Sequence, residues 1–523
     1  MIRSRKFVIV GGGTAGWITA LITRQVFPEH QIVLVESSEI GILGAGEGST
    51  PHLLNTLNQL GISLQDLIQN TSCTLKNGIL FDGWSEDRKS FVHGFEFNNQ
   101  GFQQIAMNHG LSNYDWTSAP LIPYLAEYHG MEAEDVDILT YASLRNKALF
   151  RRKQQAVVSL EDRSPDDFFE EGVEAIHFDA QSIANYLAKV AQSRRVDRIE
   201  GKVADIGRDP MGNISHLVLE DGQRVDGEFF FDCTGFARLI IGKMFESEWV
   251  SFKETLPAKR AMPFFLKPDE DHVPPYTLAK AMDKGWIWKI PLQHRYGCGY
   301  VYDPDQISDD DVKKEIDAFA GEEVEIPRIF NFEPGYYKDV WIKNCLALGL
   351  SNGFVEPLEA TSIMQMLFAL QTFFSQRQNV FTNDDVYKKN FNRQIEADHK
   401  DIASFIYLHY MTNKTNNDFW ANFTQNYKMP EALVPTIERL ERGLLNMRDN
   451  SGIFDIVSHT VVTRGNGLMP RDNINRIYKD SLEELRLEQQ LHNMIEQMQQ
   501  YSDLLVPHRD FLSHLGADFE KAK

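Results

Sequence analysis

The most constraining feature of this chain lies in its first 36 residues. Lys6 to Val10 is short, apolar and β-branched, as a buried parallel strand requires, and it runs into Gly11-Gly12-Gly13-Thr14-Ala15-Gly16. The helical segment Trp17-Ile18-Thr19-Ala20-Leu21 follows. Gln31-Ile32-Val33-Leu34-Val35 then forms a second strand that ends on Glu36. A GxGxxG spacing alone is weak evidence. Between a strand and a helix, with an acid 20 residues beyond Gly16, it reads as a dinucleotide site. Gly11 permits the tight turn, Gly13 lets the backbone approach a pyrophosphate, and Gly16 allows close packing of helix on strand. The first turn of the helix offers free N–H groups and a positive dipole end to the phosphates. Glu36 can accept both ribose hydroxyls, which favours an unphosphorylated 2′ position. The expected fold is α/β, a Rossmann-like module with a mostly helical C-terminal region.

The fingerprint does not separate FAD from NAD. Phe229-Phe230-Phe231-Asp232-Cys233-Thr234-Gly235 is a buried strand ending in Asp-x-Thr-Gly. It resembles the strand of flavoprotein monooxygenases that returns to the cofactor, which favours FAD. Around it, Gly201 to Val218 and Gln223 to Phe231 alternate like antiparallel strands, with turns at Pro210-Met211-Gly212 and Asp221-Gly222. Cys345 to Leu350 reads as another buried strand. Beyond it the pattern is mainly helical, including a capping box at Ser481-Leu482-Glu483-Glu484 that opens an amphipathic helix. These patterns predict an FAD-binding module over 1–370, with 84–150 contributing to a substrate region, and a helical substrate-binding region over 371–523.

Three further segments resemble the flavin-dependent tryptophan halogenases. Gly285-Trp286-Ile287-Trp288-Lys289-Ile290-Pro291 carries that family's WxWxIP motif. Gly353-Phe354-Val355-Glu356-Pro357-Leu358-Glu359-Ala360-Thr361 is similar to its GFxEPLE[SA]T segment. Gly46-Glu47-Gly48-Ser49-Thr50-Pro51, with Lys76 ahead of Gly78 and Phe81, resembles the region holding its essential lysine. The order of the segments adds to their specificity, and the resemblance runs to about residue 420, through His409-Tyr410 and Asp418-Phe419-Trp420.

The resemblance implies a reaction in which reduced FAD and dioxygen oxidise bromide or chloride to hypohalous acid, whose halogen passes to an electron-rich aromatic of the indole or tryptophan kind. It assigns Lys76 to directing the oxidant, by a hydrogen bond or as a haloamine; the second route needs a neutral amine, which burial favours. Glu359 is implied as the carboxylate that polarises the oxidant and takes the proton from the arenium. Thr361 and Ser362, at the start of a helix, are implied to hold the halide. His93 and Phe95 are implied to line the substrate pocket. Trp286, Trp288 and Pro291 are placed near the flavin. Thr14, Ala15, Val203, Leu350 and Ile363 join Gly11, Gly13, Gly16 and Glu36 as cofactor contacts.

Each of these has a plainer reading. Thr361 could be an ordinary helix N-cap and Glu359 an acid complementing the helix dipole. Most lysines are solvated surface charges, and most lone histidines are structural. The tryptophans also suit core packing at alternating strand spacing, which puts one of the pair in the core.

Two departures from the family pattern bear on specificity. Ser362 stands where glycine is usual beside the halide-binding threonine, which points toward altered halide preference, in the direction of bromide. The tyrosines and glutamate that hold the substrate's amino-acid end have no match in Gly443-Leu444-Leu445-Asn446-Met447-Arg448 through His459, so indole or another aromatic is as well supported as free tryptophan.

The net charge of −21 disfavours nucleic acid and anionic membrane surfaces as partners. Cys73, Cys233, Cys298 and Cys345 have no metal-ligand spacing and read as reduced thiols, so no metal is expected. With no signal-peptide pattern after Met1 and no apolar run near the roughly 20 residues a membrane span needs, the sequence predicts a cytoplasmic protein. No second nucleotide fingerprint is present, so an NAD(P)H-dependent flavin reductase is expected to supply diffusible FADH2; a homodimer is allowed. The competing readings are an FAD-dependent aromatic hydroxylase and a flavin-binding redox sensor without turnover.

Overall fold

The computed structural model describes residues 4–41, 46–95, 174–269, 271–375, 384–442, 452–468 and 505–519, together with 147–148, 377, 380–382, 493, 496 and 500. The helix expected from Ser481, most of the 84–150 stretch and Gly443–Arg448 lie outside the described residues. The chain folds into two compact units, each drawn from three stretches: 1–73, 178–253 and 333–399 in the first, and 74–177, 254–332 and 400–523 in the second. Compactness therefore divides the chain by interleaved stretches, where the sequence pattern suggested one cut near residue 370 by presumed role.

The first unit is built on a six-stranded sheet. Its order is Trp341–Ile342, Cys345–Ala347, Phe229–Asp232, Lys6–Val10, Gln31–Glu36 and Val196–Glu200. All neighbours are parallel except the first pair. Phe7, Val8, Ile9 and Val10 are all buried, as a parallel strand covered on both faces should be. On one face Val8, Val10, Val33, Val35 and Phe230 pack against Leu217, Leu219 and Val225. Those three come from an antiparallel meander of Val203–Arg208, Ile214–Leu219 and Arg224–Asp226. Elsewhere in this unit Phe229 and Phe231 meet Phe373 of the helix Thr361–Ser375, with ring centroids 5.2 and 5.6 Å apart.

The expected continuous antiparallel strand Gln223–Phe231 is instead broken at Gly227. A side chain there would lie 2.7 Å from Val8 Cγ2, so the backbone passes directly over the sheet before Phe229 enters it in parallel with Phe7. The strand expected over Cys345–Leu350 stops at Ala347 and gives way to a single 3-10 turn, Gly349–Ser351.

The glycine turn performs the roles read from its spacing. Gly11 has φ +115°, and a Cβ on it would sit 2.2 Å from the Cys233 carbonyl oxygen. A Cβ on Gly16 would sit 1.9 Å from the Gly11 carbonyl oxygen. The helix Thr14–Val26 therefore starts only because two backbones can touch here.

The second unit centres on a seven-stranded sheet ordered Phe330–Asn331, Arg260–Leu266, Tyr296–Tyr302, Gly285–Pro291, Thr277–Ala281, Gly78–Asp82 and Ser90–Gly94. Its pairings are antiparallel except for Thr277–Ala281 beside Gly78–Asp82. Ile287, Tyr300, Tyr302, Met262 and Phe264 form a core with Val312 and Ile316 of the helix Asp309–Ala320. Trp286 and Trp288, two residues apart in one strand, share the opposite face, so both are buried where the sequence reading placed only one of the pair in the core. No described helix is long and apolar enough to cross a membrane.

Gly11→Ala is expected to destabilise the fold by on the order of 3 kcal/mol, because it combines a clash with a disfavoured φ. Gly13→Ala meets nothing within 4 Å and should leave urea unfolding unchanged. Equal midpoints for Gly11→Ala and wild type would contradict this reading of the turn.

Candidate active site

In the first unit, the functional residues gather around the C-terminal ends of the parallel strands. Gly13 caps the helix Thr14–Val26 with no side-chain bond, so the helix N-terminus keeps its own N–H groups for a ligand. The open space beside Gly13 is where a pyrophosphate would come closest. Glu36 lies against Gly12, where a Cβ would overlap its carboxylate, and one oxygen binds Arg198. Ala15 touches the turn carrying Leu350: a Cβ on Gly349 would be 3.1 Å from Ala15 Cβ. Val203 packs against the cluster that contains Val8, Val10, Val33 and Val35. These residues fit a bound dinucleotide.

Asp232 holds this end of the sheet together. Its buried carboxylate accepts from Thr234 N–H (3.1 Å) and Oγ1–H (2.6 Å), and from the N–H groups of Ile240 and Ile241 (both 2.9 Å). Those bonds fold the chain after the strand into a short helical turn. The sequence marked Asp232 only as part of a motif; the structure shows why an acid belongs there.

Glu359, Thr361 and Ser362 follow on the same unit. Thr361 is the first helical residue of Thr361–Ser375 and not the cap expected of it. Ala360 precedes it at φ +53°, a left-handed conformation that a residue with a Cβ rarely adopts. Such strain, typically about 1–3 kcal/mol, persists only where the surroundings enforce it and clusters at functional sites. Glu359 and Thr361 are buried and Ser362 is half-buried. Ile363 follows in the same first turn. One turn along the helix, Gln365 is buried with its amide nitrogen unpartnered. Nothing in the sequence marked Ala360 or Gln365.

The second unit holds Lys76, His93, Phe95 and the WxWxIP segment. Lys76 ends the short strand Thr74–Lys76, which pairs antiparallel with Ala175–Phe178. Its side chain is 1% exposed, so it is not the surface lysine that base rates favour. The Lys76 Nζ lies 5.2 Å from the centre of the Phe95 ring, within cation–π range. Phe95 N–H donates to the Asn77 carbonyl (3.0 Å), and Ile79 lies opposite His93 in the adjoining hairpin. His93 is half-buried and packs edge-on to Phe405. Lysine, histidine and phenylalanine are thus brought together by one hairpin. Gly78 makes this possible, since a Cβ there would lie 2.7 Å from Gly94 Cα.

The WxWxIP segment is tied to the lysine strand. Thr74 Oγ1 donates to the Pro291 carbonyl at 2.7 Å. Trp286 donates its indole N–H to Tyr410 Oη at 3.1 Å, and Trp288 leaves its buried indole nitrogen unpartnered.

Two histidines that sequence reasoning did not single out flank the same strand. His177 bonds Thr74 Oγ1 through Nδ1 (3.2 Å) and Thr277 Oγ1 through Nε2 (2.9 Å). Thr74 has used its one proton on Pro291, so it accepts from Nδ1–H, and Thr277 Oγ1 donates to Nε2 when the ring is neutral. His508 accepts the Leu75 N–H at Nε2 (3.1 Å) and therefore donates Nδ1–H to the Val273 carbonyl (2.8 Å). The His508 pattern needs a neutral ring, since its Nε2 accepts. Desolvation by burial holds His177 well below the usual histidine range, with Lys76 and His508 adding to it, and pushes His508 down to about 4.

The sequence profile of the tryptophan halogenase family matches residues 6–479. A 7-chloro-L-tryptophan 6-halogenase of Kutzneria sp. (strain 744) is 31% identical over 82% of this chain and 84% of its own. Among solved structures, the flavin-dependent halogenase Xcc4156 of Xanthomonas campestris superposes with TM-score 0.81 at 28% identity, covering 98% of each chain. BrvH, a flavin-dependent halogenase of Brevundimonas sp. BAL3, gives TM-score 0.78 at 27% identity over 98% of this chain and 99% of its own. Fold and site together define a flavoprotein enzyme of the halogenase class. This chain belongs to the tryptophan halogenase family.

The neutral histidines predict a pH dependence. The depressed His508 pKa means that between 6.5 and about 4 the unfolded chain binds a proton the folded chain refuses. The ring's contribution to stability is full above 6.5 and is lost as pH falls toward 4. Between pH 7 and 5 it should cost on the order of 2 kcal/mol. Urea unfolding of His508→Gln should show a correspondingly smaller drop between those two pH values, and an unchanged drop would contradict the assignment.

Proposed function

We propose that the protein transfers halogen to an electron-rich aromatic of the indole or tryptophan kind, using a halide, dioxygen and reduced FAD from a separate NAD(P)H-dependent reductase. The observation that carries this reading is Lys76, a fully buried amine facing an aromatic ring within a strand pinned to the WxWxIP segment. A hydroxylase of the same fold needs no such group. Membership of the halogenase family gives the reading its reaction class.

When bound, reduced FAD and dioxygen supply the oxidising power that converts halide to hypohalous acid. Gly13, Thr14 and Ala15 would hold the pyrophosphate on the turn that Gly11 and Gly16 shape, Glu36 would take the ribose, and Leu350 and Ile363 would lie beside the cofactor. Thr361 and Ser362, with the free N–H groups of their helix turn, hold the halide. Lys76 Nζ donates a hydrogen bond to the oxygen of the hypohalous acid and orients its halogen toward the ring carbon. As the carbon–halogen bond forms, the oxygen–halogen bond breaks and the oxygen leaves as hydroxide. The Glu359 carboxylate takes the ring proton from the arenium, restoring aromaticity, and that proton goes on to the hydroxide to give water. His93 and Phe95 shape the aromatic's pocket. Burial serves the chemistry, since water reaching Lys76 would release the oxidant unspent.

The relative from Kutzneria acts on a chlorinated tryptophan by its name. The missing tyrosine and glutamate constellation argues for a substrate without a free amino-acid end, such as indole itself. Ser362 adds a side chain beside the halide and favours bromide.

Incubation with a flavin reductase, NADH, oxygen and equimolar chloride and bromide against an indole panel tests this by mass spectrometry. The expected product carries the bromine isotope doublet, and Ser362→Gly should shift the ratio toward chloride. A product heavier by one oxygen would overturn halogenation in favour of hydroxylation. Dominant chloride product from the wild type would overturn the halide assignment alone.

A further inference from the structure

The strand Thr74–Lys76 is an edge strand. Ala175–Phe178 occupies one side of it, with Leu75 opposite Ile176, and no strand lies on the other side among the described residues. An edge strand leaves backbone N–H groups without ladder partners and is free to shift. Here, that open side is closed by other means. Leu75 N–H donates to the ring of His508, and Asn77 N–H donates to the Pro275 carbonyl at 2.6 Å. His508 donates in turn to Val273, so the ring ties the strand to the same 273–275 loop that holds Asn77.

His508 comes from the far end of the chain, 433 residues from Leu75. It opens the helix His508–His514, which is fixed by the buried Phe511, Leu512 and Leu515, and the preceding Val506 pairs with Ala148. The ring is therefore a fitted strut. Its two nitrogens are both engaged, and its tautomer is dictated by the Leu75 donor.

We infer that His508 is a positioning residue for Lys76: its Nε2 fixes the backbone one residue before the lysine and so sets where Nζ meets the oxidant. The inference rests on Lys76 being the directing group. Misplacing a reacting group by about 1 Å can cost on the order of 100-fold in rate, so one backbone bond at this position is enough to matter.

The test separates the two nitrogens of the ring. Gln at 508 can place an acceptor at the Nε2 position and keep the Leu75 bond. Asn can reach only as far as the Nδ1 position, keeping a donor for Val273 and losing Leu75. His508→Asn is expected to lower kcat for halogenation about 10-fold or more with KM for the aromatic and FAD affinity unchanged, while His508→Gln stays within about 3-fold of wild type. Hydrogen exchange followed by mass spectrometry should show the peptide containing Leu75 losing protection in Asn and regaining it in Gln. Lys76→Ala is measured alongside.

Equal halogenation by Asn and Gln variants, with Lys76→Ala inactive, would overturn the positioning role alone. Undiminished product from Lys76→Ala would instead overturn the reading on which it rests. Should the Asn variant not fold, the Gln variant decides: a folded Gln variant with Leu75 protected but halogenation lost overturns the inference, and retained product supports it.

Discussion

The interaction on which the rest of the second unit depends is the burial of the Lys76 amine. Taking such a polar group out of water is costly unless its surroundings are fixed and polar in the right places. The strand bearing the lysine is held on both sides of that residue: Thr74 through Pro291 and His177, Leu75 through His508, and the following Asn77 through Pro275 and Phe95. The two histidines do this as neutral rings, so they place no charge beside the amine. Under the proposed reading, a rigid amine shut away from solvent is what directing a diffusible oxidant calls for.

The first unit solves a different problem, the recognition of anions, with backbone more than with charge. Gly13 leaves a helix start open, Asp232 folds the return strand into its turn, and strained Ala360 delivers Thr361 into the first turn of its helix. Under the proposed reading, an acidic chain takes phosphate and halide at helix N-termini, where partial charges suffice.

What was legible in the sequence was what is local. Gly11, Gly13, Gly16 and Glu36 lie within one strand–turn–helix–strand unit, and the spacing of Gly11 and Gly16 reports a steric demand that the structure bears out, while Gly13 faces open space. The WxWxIP and GFxEPLEAT segments are likewise continuous, so Trp286, Trp288, Glu359 and Thr361 could be named from resemblance. The pairing of His508 with Leu75 could not be, because no pattern links residues 433 apart and a lone histidine carries no sign of its partner. His177 was hidden in the same way. The parallel entry of Phe229–Asp232 was misread because a two-residue period marks a strand without giving its neighbour. The left-handed Ala360 was invisible, since alanine does not announce that conformation as glycine would.

The central claim is that Lys76 converts oxidant into product. It is tested most directly by the ratio of halogenated product formed to reduced flavin consumed, measured in wild type and Lys76→Ala under the same bromide and oxygen. The account predicts that the alanine variant binds FAD and reoxidises it at the wild-type rate while its product ratio falls by about 100-fold or more. A Lys76→Ala enzyme with an unchanged product ratio would contradict it.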